Sequence, residues 1–421
     1  MEPPAGRSNT AIVRKQGAWM FLASMTNSGM GFIFWALAAR TFPDPFVGTA
    51  GSVISLASLG TSLAILGLDN SLVRFITKVD RPRRLIRQLV LVSGVLAVGV
   101  GAGLMVVVLS VGLAGNEALV AVILLGTALT VFQVWFQISD SSLLAAGRNE
   151  LLAGRSIAYG AGKILLLLAV TGMGLLGLLL AYTVPLLIVV AGAFVISGFL
   201  WPAVNPQGRP HRLGEFASLS LGNYASGLLW FLPNRLAPAL ILIVYSADEA
   251  AYFFLAFMLA EVLNYIPESV GKSLFAQGSR SDAISTSTMR DVRVWLTLVM
   301  VPLVAVGIVL SEFGMDLLGG PNYSAHAPIL QIFLVAVLPR TGLQLLKARF
   351  NVEKRMGDLV VLGAATGLST LAFFAVALAM RPDIDVVPIA WVLGGVVGLG
   401  AGLAAARARV NWPRQFPSKP T

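Results

Sequence analysis

Three ionisable residues stand deep inside apolar runs: Arg235, Glu261 and Arg340. Each run has the length of about 20 residues that crosses the hydrocarbon of a bilayer. At 1.5 Å rise per residue, Arg235 is about 16 Å, Glu261 roughly 18 Å and Arg340 about 21 Å from the outer end of its run. A charge at that depth is costly and marks a candidate functional site. Two arrangements suit these residues. In one, Arg235 and Glu261 form a buried structural ion pair, because consecutive antiparallel spans bring them to one level. In the other, Arg235 and Arg340 face a water-filled cavity and bind an anionic group, since a guanidinium presents a fixed fork of donors. Glu261 then competes for Arg235 and is the candidate for ion coupling. The amides of Asn27, Asn223, Asn234 and Asn264 are further candidates for lining that cavity. Serines such as Ser55, Ser58 and Ser62 share one helix face. Tight helix packing is the plainer role for any single one of them.

Other chemistry finds no residues to carry it. The chain has no cysteine and two histidines, His211 and His326, in separate loops. No metal or cofactor site can be drawn from them. Gly271-Lys272-Ser273 ends like a phosphate-binding loop, but Ile266 stands where the first glycine is needed. No loop is long enough for a soluble catalytic domain. These observations favour transport over catalysis, so the chain is not expected to be an enzyme.

The elements that must position these residues follow from composition. Of 421 residues, 57% are hydrophobic and 12% charged, with mean hydropathy +0.82. A soluble chain carries about 25% charged residues. Twelve apolar segments qualify as spans: 16–41, 46–70, 86–112, 118–138, 151–172, 174–200, 216–246, 248–272, 294–318, 325–346, 356–380 and 385–406. Thr171-Gly172-Met173-Gly174 reads as a tight turn between the fifth and sixth. With both termini inside, alternate loops collect 26 of the 30 basic residues, Arg155 and Lys163 counted among them. That bias orients the spans. The net charge of +10 is therefore topogenic, with contact to anionic lipid secondary, and not a nucleic-acid footprint.

The fold class expected is an all-α membrane protein of twelve helices in two parallel six-helix lobes. The boundaries are 1–200 for the first lobe, 201–215 for a cytoplasmic linker, 216–406 for the second lobe and 407–421 for a cytoplasmic tail. Pro233, Pro238 and Pro267 interrupt the seventh and eighth spans and kink them. Gly99-x-x-x-Gly103, Gly394-x-x-x-Gly398 and Gly398-x-x-x-Gly402 suit close helix approach inside a bundle.

Several stretches resemble a known family. Ala38-Ala39-Arg40-Thr41-Phe42-Pro43-Asp44-Pro45-Phe46-Val47-Gly48 resembles the first external turn of polysaccharide-export flippases. Gly67-Leu68-Asp69-Asn70-Ser71-Leu72-Val73-Arg74-Phe75 is similar to the inner end of their second helix. Asn223-Tyr224-Ala225-Ser226 through Ala250-Ala251-Tyr252-Phe253, and Leu318-Gly319-Gly320-Pro321-Asn322-Tyr323, are similar to theirs as well. These are the O-antigen, Wzx-type members of the multidrug/oligosaccharidyl-lipid/polysaccharide exporter superfamily. The resemblance implies a V-shaped pair of lobes around a cationic cavity in a bacterial plasma membrane. It implies movement of a polyprenyl-diphosphate-linked oligosaccharide from inner to outer leaflet, driven by an ion gradient or membrane potential. It also implies polysaccharide polymerase or glycosyltransferase partners. A drug/cation antiporter of the same superfamily is the alternative, disfavoured by the lack of Asp or Glu between Gly17 and Thr41. A non-transporting membrane scaffold is the third reading.

Overall fold

A computed structural model of the chain describes residues 8–112, 118–206, 208, 213–281 and 286–407. Most of the expected linker beyond residue 206, the tail beyond 407 and the side chain of Asn223 lie outside what it describes. The described residues form helices joined by short turns and connections, with no β-strand among them. Among the described residues eleven helices are long and apolar enough to cross a membrane. Helix α1 (Ser8–Thr41), 34 residues long, brings the helices of membrane-crossing length to twelve. Six precede residue 201 and six follow residue 212, as the hydropathy runs require. Helices are what lipid allows, because every backbone donor and acceptor must be satisfied within the segment.

The helices group into two compact units. The first comprises Met1–Leu221, Asn234–Leu255 and Leu317–Pro321. It holds α1, α2 (Asp44–Ile65), α3 (Leu68–Phe75), α4 (Pro82–Gly112), α5 (Leu119–Ala145), α6 (Asn149–Ala169) and α7 (Gly174–Leu200). To these it adds both ends of α8 (Leu213–Val244), on either side of Gly222–Pro233, and the start of α9 (Ala247–Ser281). Helix α2 is the most enclosed, packed by α4, α5 and α7. Gly48 on α2 allows that closeness: a Cβ there would stand 1.8 Å from the Ala247 carbonyl oxygen of α9. Polar groups on α2 are bonded inside the unit. Ser52 Oγ donates to Pro238 O at 2.9 Å, while Ser58 and Thr61 donate to Gln133 Oε1 at 3.2 and 3.1 Å. The turn between α6 and α7 is a single 3-10 turn, Thr171–Met173, closed by Gly174 at φ +55°. After α7, Arg83 Nε donates to Trp201 O at 2.6 Å, and Asn205 N donates to Asp80 O at 2.6 Å. The chain leaving α7 is thus strapped to the turn between α3 and α4.

The second unit comprises Gly222–Pro233, Ala256–Asp316 and Asn322–Thr421. It holds the rest of α8 and α9, then α10 (Thr286–Val309), α11 (Ser311–Gly319, up to Asp316), α12 (Pro321–Ser324, from Asn322), α13 (Ala327–Val352), α14 (Met356–Met380) and α15 (Ile389–Arg407). The ninth expected span, 294–318, is two helices and not one. It breaks at Leu310, and Glu312 and Asp316 belong to the short α11. Helices α14 and α15 make the most extensive contact in this unit. A Cβ at Gly394 or Gly398 would stand 2.0 Å from Thr370 Oγ1 or Thr366 Oγ1 respectively. The glycine stripe of α15 is therefore a packing stripe, as its spacing suggested. The other stripe is not: Gly99 and Gly103 have nothing within 4 Å of an added Cβ. An aromatic chain, Phe257–Phe333–Trp391–Phe374, fills the unit with edge-to-face contacts at 5.3–5.4 Å.

Gly367 on α14 meets backbone, since a Cβ there would stand 1.8 Å from Leu229 O of α8. Gly367→Ala is expected to destabilise the detergent-solubilised protein by about 1–3 kcal/mol through overpacking. Gly99→Ala is expected to be neutral or to stabilise by up to about 1 kcal/mol. Thermal unfolding followed by tryptophan fluorescence separates the two outcomes.

Candidate functional site

In the second unit the candidate site is built on α9 and α13. Arg340 Nη1 donates to Glu261 Oε1 in a direct ion pair. Their side chains are 15% and 32% exposed. Arg340 follows Pro339, which removes a backbone donor from the middle of α13. Seven residues further along each helix the pattern repeats. Glu268 of α9 interacts electrostatically with Lys347 of α13 and pairs with Lys272 at 2.7 Å. The equal offset places two charge rungs in matching register, about 10.5 Å apart. Asn264, between the rungs on α9, is buried.

Lys347 also opens onto a cavity of about 190 Å³. Gly227 and Trp230 of α8, Asn351 of α13, and Leu359, Leu362 and Gly363 of α14 complete its lining. The Lys347 ammonium sits 5.4 Å from the Trp230 ring centroid. Asn351 Nδ2 donates to Lys347 O at 2.8 Å, which leaves its carbonyl oxygen as the side chain's acceptor. An ammonium, an amide and an indole face around such a volume suit a polar, anionic or sugar-like group.

In the first unit Arg235 lies in the C-terminal part of α8 and interacts electrostatically with Tyr182 of α7. Its neighbour Asn234 is half-buried, and Asn27 on α1 is exposed. The depth arithmetic placed Glu261 beside Arg235; the structure gives Glu261 to Arg340 instead. Depth fixes the level of a residue and leaves its direction around the helix open. Levels of about 18 and 21 Å serve Arg340 as well as Arg235.

Two cations read as inner-loop charges, Arg155 and Lys163, lie inside α6 and are buried. Arg155 donates to Asp140 Oδ1 and Ser139 Oγ of α5, and its guanidinium covers the Phe136 ring at 3.6 Å. Lys163 is held by Phe34, Tyr159 and Tyr182, with its nitrogen 5.6, 4.9 and 5.4 Å from the three ring centroids. The signal that would have found them is the spacing Arg155–Tyr159–Lys163, which puts all three on one helix face. Lys347 carried a similar signal, two turns from Arg340. The described residues hold no group of three or more His, Asp or Glu side chains fit to bind a metal ion.

Removing one member of the α9–α13 pair is expected to cost more than removing both. Glu261→Gln leaves Arg340 without this carboxylate and is expected to destabilise by about 3–5 kcal/mol. Glu261→Gln combined with Arg340→Leu is expected to recover at least half of that loss. Thermal unfolding of the single and double variants in one detergent measures the difference.

The comparisons with known proteins agree with this helical frame. The chain aligns with two solved structures over most of both lengths. One is a lipid II flippase MurJ in an inward closed conformation, with TM-score 0.71, 12% identity, and 92% of this chain and 87% of that chain covered. The other is an inward-facing multidrug resistance MATE family transporter of the MOP superfamily, with TM-score 0.65, 15% identity, and 93% and 94% covered. At such identities the likeness is one of fold, and the proteins that share it are transporters and flippases. No curated protein sequence matches the chain. A family model described as polysaccharide biosynthesis protein matches residues 13–275, more than half of the chain. The chain belongs to the polysaccharide biosynthesis protein family, built on the fold of the MOP transporters.

Proposed function

We propose that the protein moves a polyprenyl-diphosphate-linked oligosaccharide from the inner to the outer leaflet by alternating access, for assembly of a cell-surface polysaccharide. The observation that carries this reading is the polysaccharide family match over residues 13–275. Cations kept at membrane depth support it. Arg235 is beside a tyrosine, and Lys347 borders a cavity with an indole face. A diphosphate is doubly anionic, and charge-assisted hydrogen bonds to guanidinium are strong and directional. Its sugars are polar and flat-faced, which suits an indole beside an amide.

In this reading Arg235, with Asn27 and Asn234, binds the headgroup in the first unit. In the second unit Arg340, with Asn223 and Asn264, binds it when the substrate displaces Glu261, and Glu261 then becomes the group whose release couples binding to conformational change. The lipid tail stays in the bilayer. The protein works in a bacterial plasma membrane with both termini cytoplasmic, in contact with anionic lipid at its basic inner loops. Polymerases and glycosyltransferases of the same polysaccharide are its partners.

The test is translocation of a fluorescent polyprenyl-diphosphate oligosaccharide in proteoliposomes. Wild-type protein is expected to translocate it, and Arg235→Ala to slow translocation by about tenfold or more, the worth of a charged hydrogen bond. Full activity of correctly inserted Arg235→Ala overturns the role of that arginine. Efflux of an organic cation without lipid translocation assigns the protein to the drug antiporters. Transport of neither makes it a scaffold.

A further inference from the structure

The first unit holds a cation unlike the others. Lys163 is 2% exposed, in α6, at membrane depth. Its surroundings come from three helices. Phe34 of α1, Tyr159 of α6 and Tyr182 of α7 turn their rings on the ammonium at 4.9–5.6 Å. The α1 backbone closes the box at Gly31, where a Cβ would stand 3.8 Å from Lys163 Nζ. The rings brace one another, with Phe34 against Tyr182 at 5.6 Å and Tyr159 against Tyr182 at 5.9 Å. Among the described residues no carboxylate pairs with Lys163.

The charges that surround the box are named readily. Arg235 of α8 interacts electrostatically with Tyr182. Arg155 lies two turns toward the inner end of α6, on the same face, beyond Phe136 and Tyr159. Asp140 of α5 is the nearby carboxylate, and Arg155 has taken it. Helix α1 brings no Asp, Glu or Lys between Gly17 and Thr41. The immediate neighbours of Lys163 are therefore ring faces and the α1 backbone. Ring faces attract an ammonium with about 0.5–2 kcal/mol each. An unpaired ammonium loses more than that on leaving water. Arginine has no way out of such a position, because it keeps its proton at every accessible pH; lysine can give its proton up.

We infer that Lys163 is a proton-exchange site of the first unit, its amine alternating between a charged form held by the Phe34–Tyr159–Tyr182 box and a neutral form during the working cycle. On release the Nζ–H bond breaks, the electron pair stays on nitrogen, and the proton passes to water. On uptake the pair takes a proton from water. One elementary charge appears or disappears in the unit at each step, with no other reactant. This site goes beyond the flippase reading: the carboxylate first considered for coupling, Glu261, is in the second unit and engaged with Arg340.

The experiment uses the full chain in lipid nanodiscs, with its seven lysines labelled at 13Cε. Lys163→Gln identifies the Lys163 resonance by its loss. That resonance is expected to change charge state between about pH 6 and pH 9, while the exposed lysines remain charged. A Lys163 signal that keeps its charged position to about pH 10 overturns the inference. A second measurement uses Lys163→Arg, which keeps the charge and cannot release it. In proteoliposomes given a fluorescent polyprenyl-diphosphate oligosaccharide, an imposed pH gradient is expected to accelerate wild-type translocation at least about fivefold and to leave Lys163→Arg unaccelerated. Equal acceleration of both proteins overturns the inference. If wild-type protein moves none of this probe, the flippase reading fails and the titration alone decides the proton site.

Discussion

An ionised side chain inside hydrocarbon has no water to solvate it, and the rest of this structure is arranged around that cost. Two solutions appear. Arg340 and Arg155 are matched with carboxylates, Glu261 and Asp140, on neighbouring helices. Lys163 is faced with aromatic rings alone, and Lys347 adds an indole face to its interaction with Glu268. The first solution cancels charge and fixes helices in register. The second holds a charge without cancelling it, which keeps it available to an anion or removable as a proton. The proposed transport of an anionic headgroup uses both kinds: neutral pairs where the helices must be held, and uncancelled cations where the cargo is to be recognised.

Close packing supplies the other half of the stability. Between helices in lipid there is no hydrophobic drive, so attraction depends on contact at short range. Gly48 against Ala247, Gly367 against Leu229 and the α15 stripe against Thr366 and Thr370 are places where a side chain would separate backbones. Hydroxyls then bond across the narrow gaps, as Ser52 does to Pro238 and Thr61 to Gln133. The serines of α2 that give the helix its polar look are in part such ties.

Much of the fold was legible in the sequence, because length and hydropathy are properties of a single helix. Twelve membrane-length helices and the tight turn at 171–173 follow from local composition. The break at Leu310 did not, since the apolar run continues through it. Site geometry was legible in part. Glu261 and Arg340 are both conspicuous, yet their pairing depends on which way α9 and α13 face. Hydropathy holds no information on azimuth between helices distant in sequence. Lys163 was hidden for another reason. Counting basic residues by loop assigns it to the inner surface, and only its spacing from Tyr159 and Arg155 reveals an interior face.

The matching register of α9 and α13 has a mechanical consequence. Both helices carry their rungs seven residues apart, Glu261 with Glu268 and Arg340 with Lys347. If α13 slid along α9 by one turn, about 5.4 Å, one cation would arrive near the midpoint between the two acids and the other would pass beyond its own. Both rungs would be lost together, and neither could be replaced until the slide reached two turns. At that point one cation would meet the other's acid and its companion would overshoot. Axial displacement of these helices is therefore quantised rather than graded: the pair behaves as a vernier with one aligned setting, and intermediate positions carry the full electrostatic penalty.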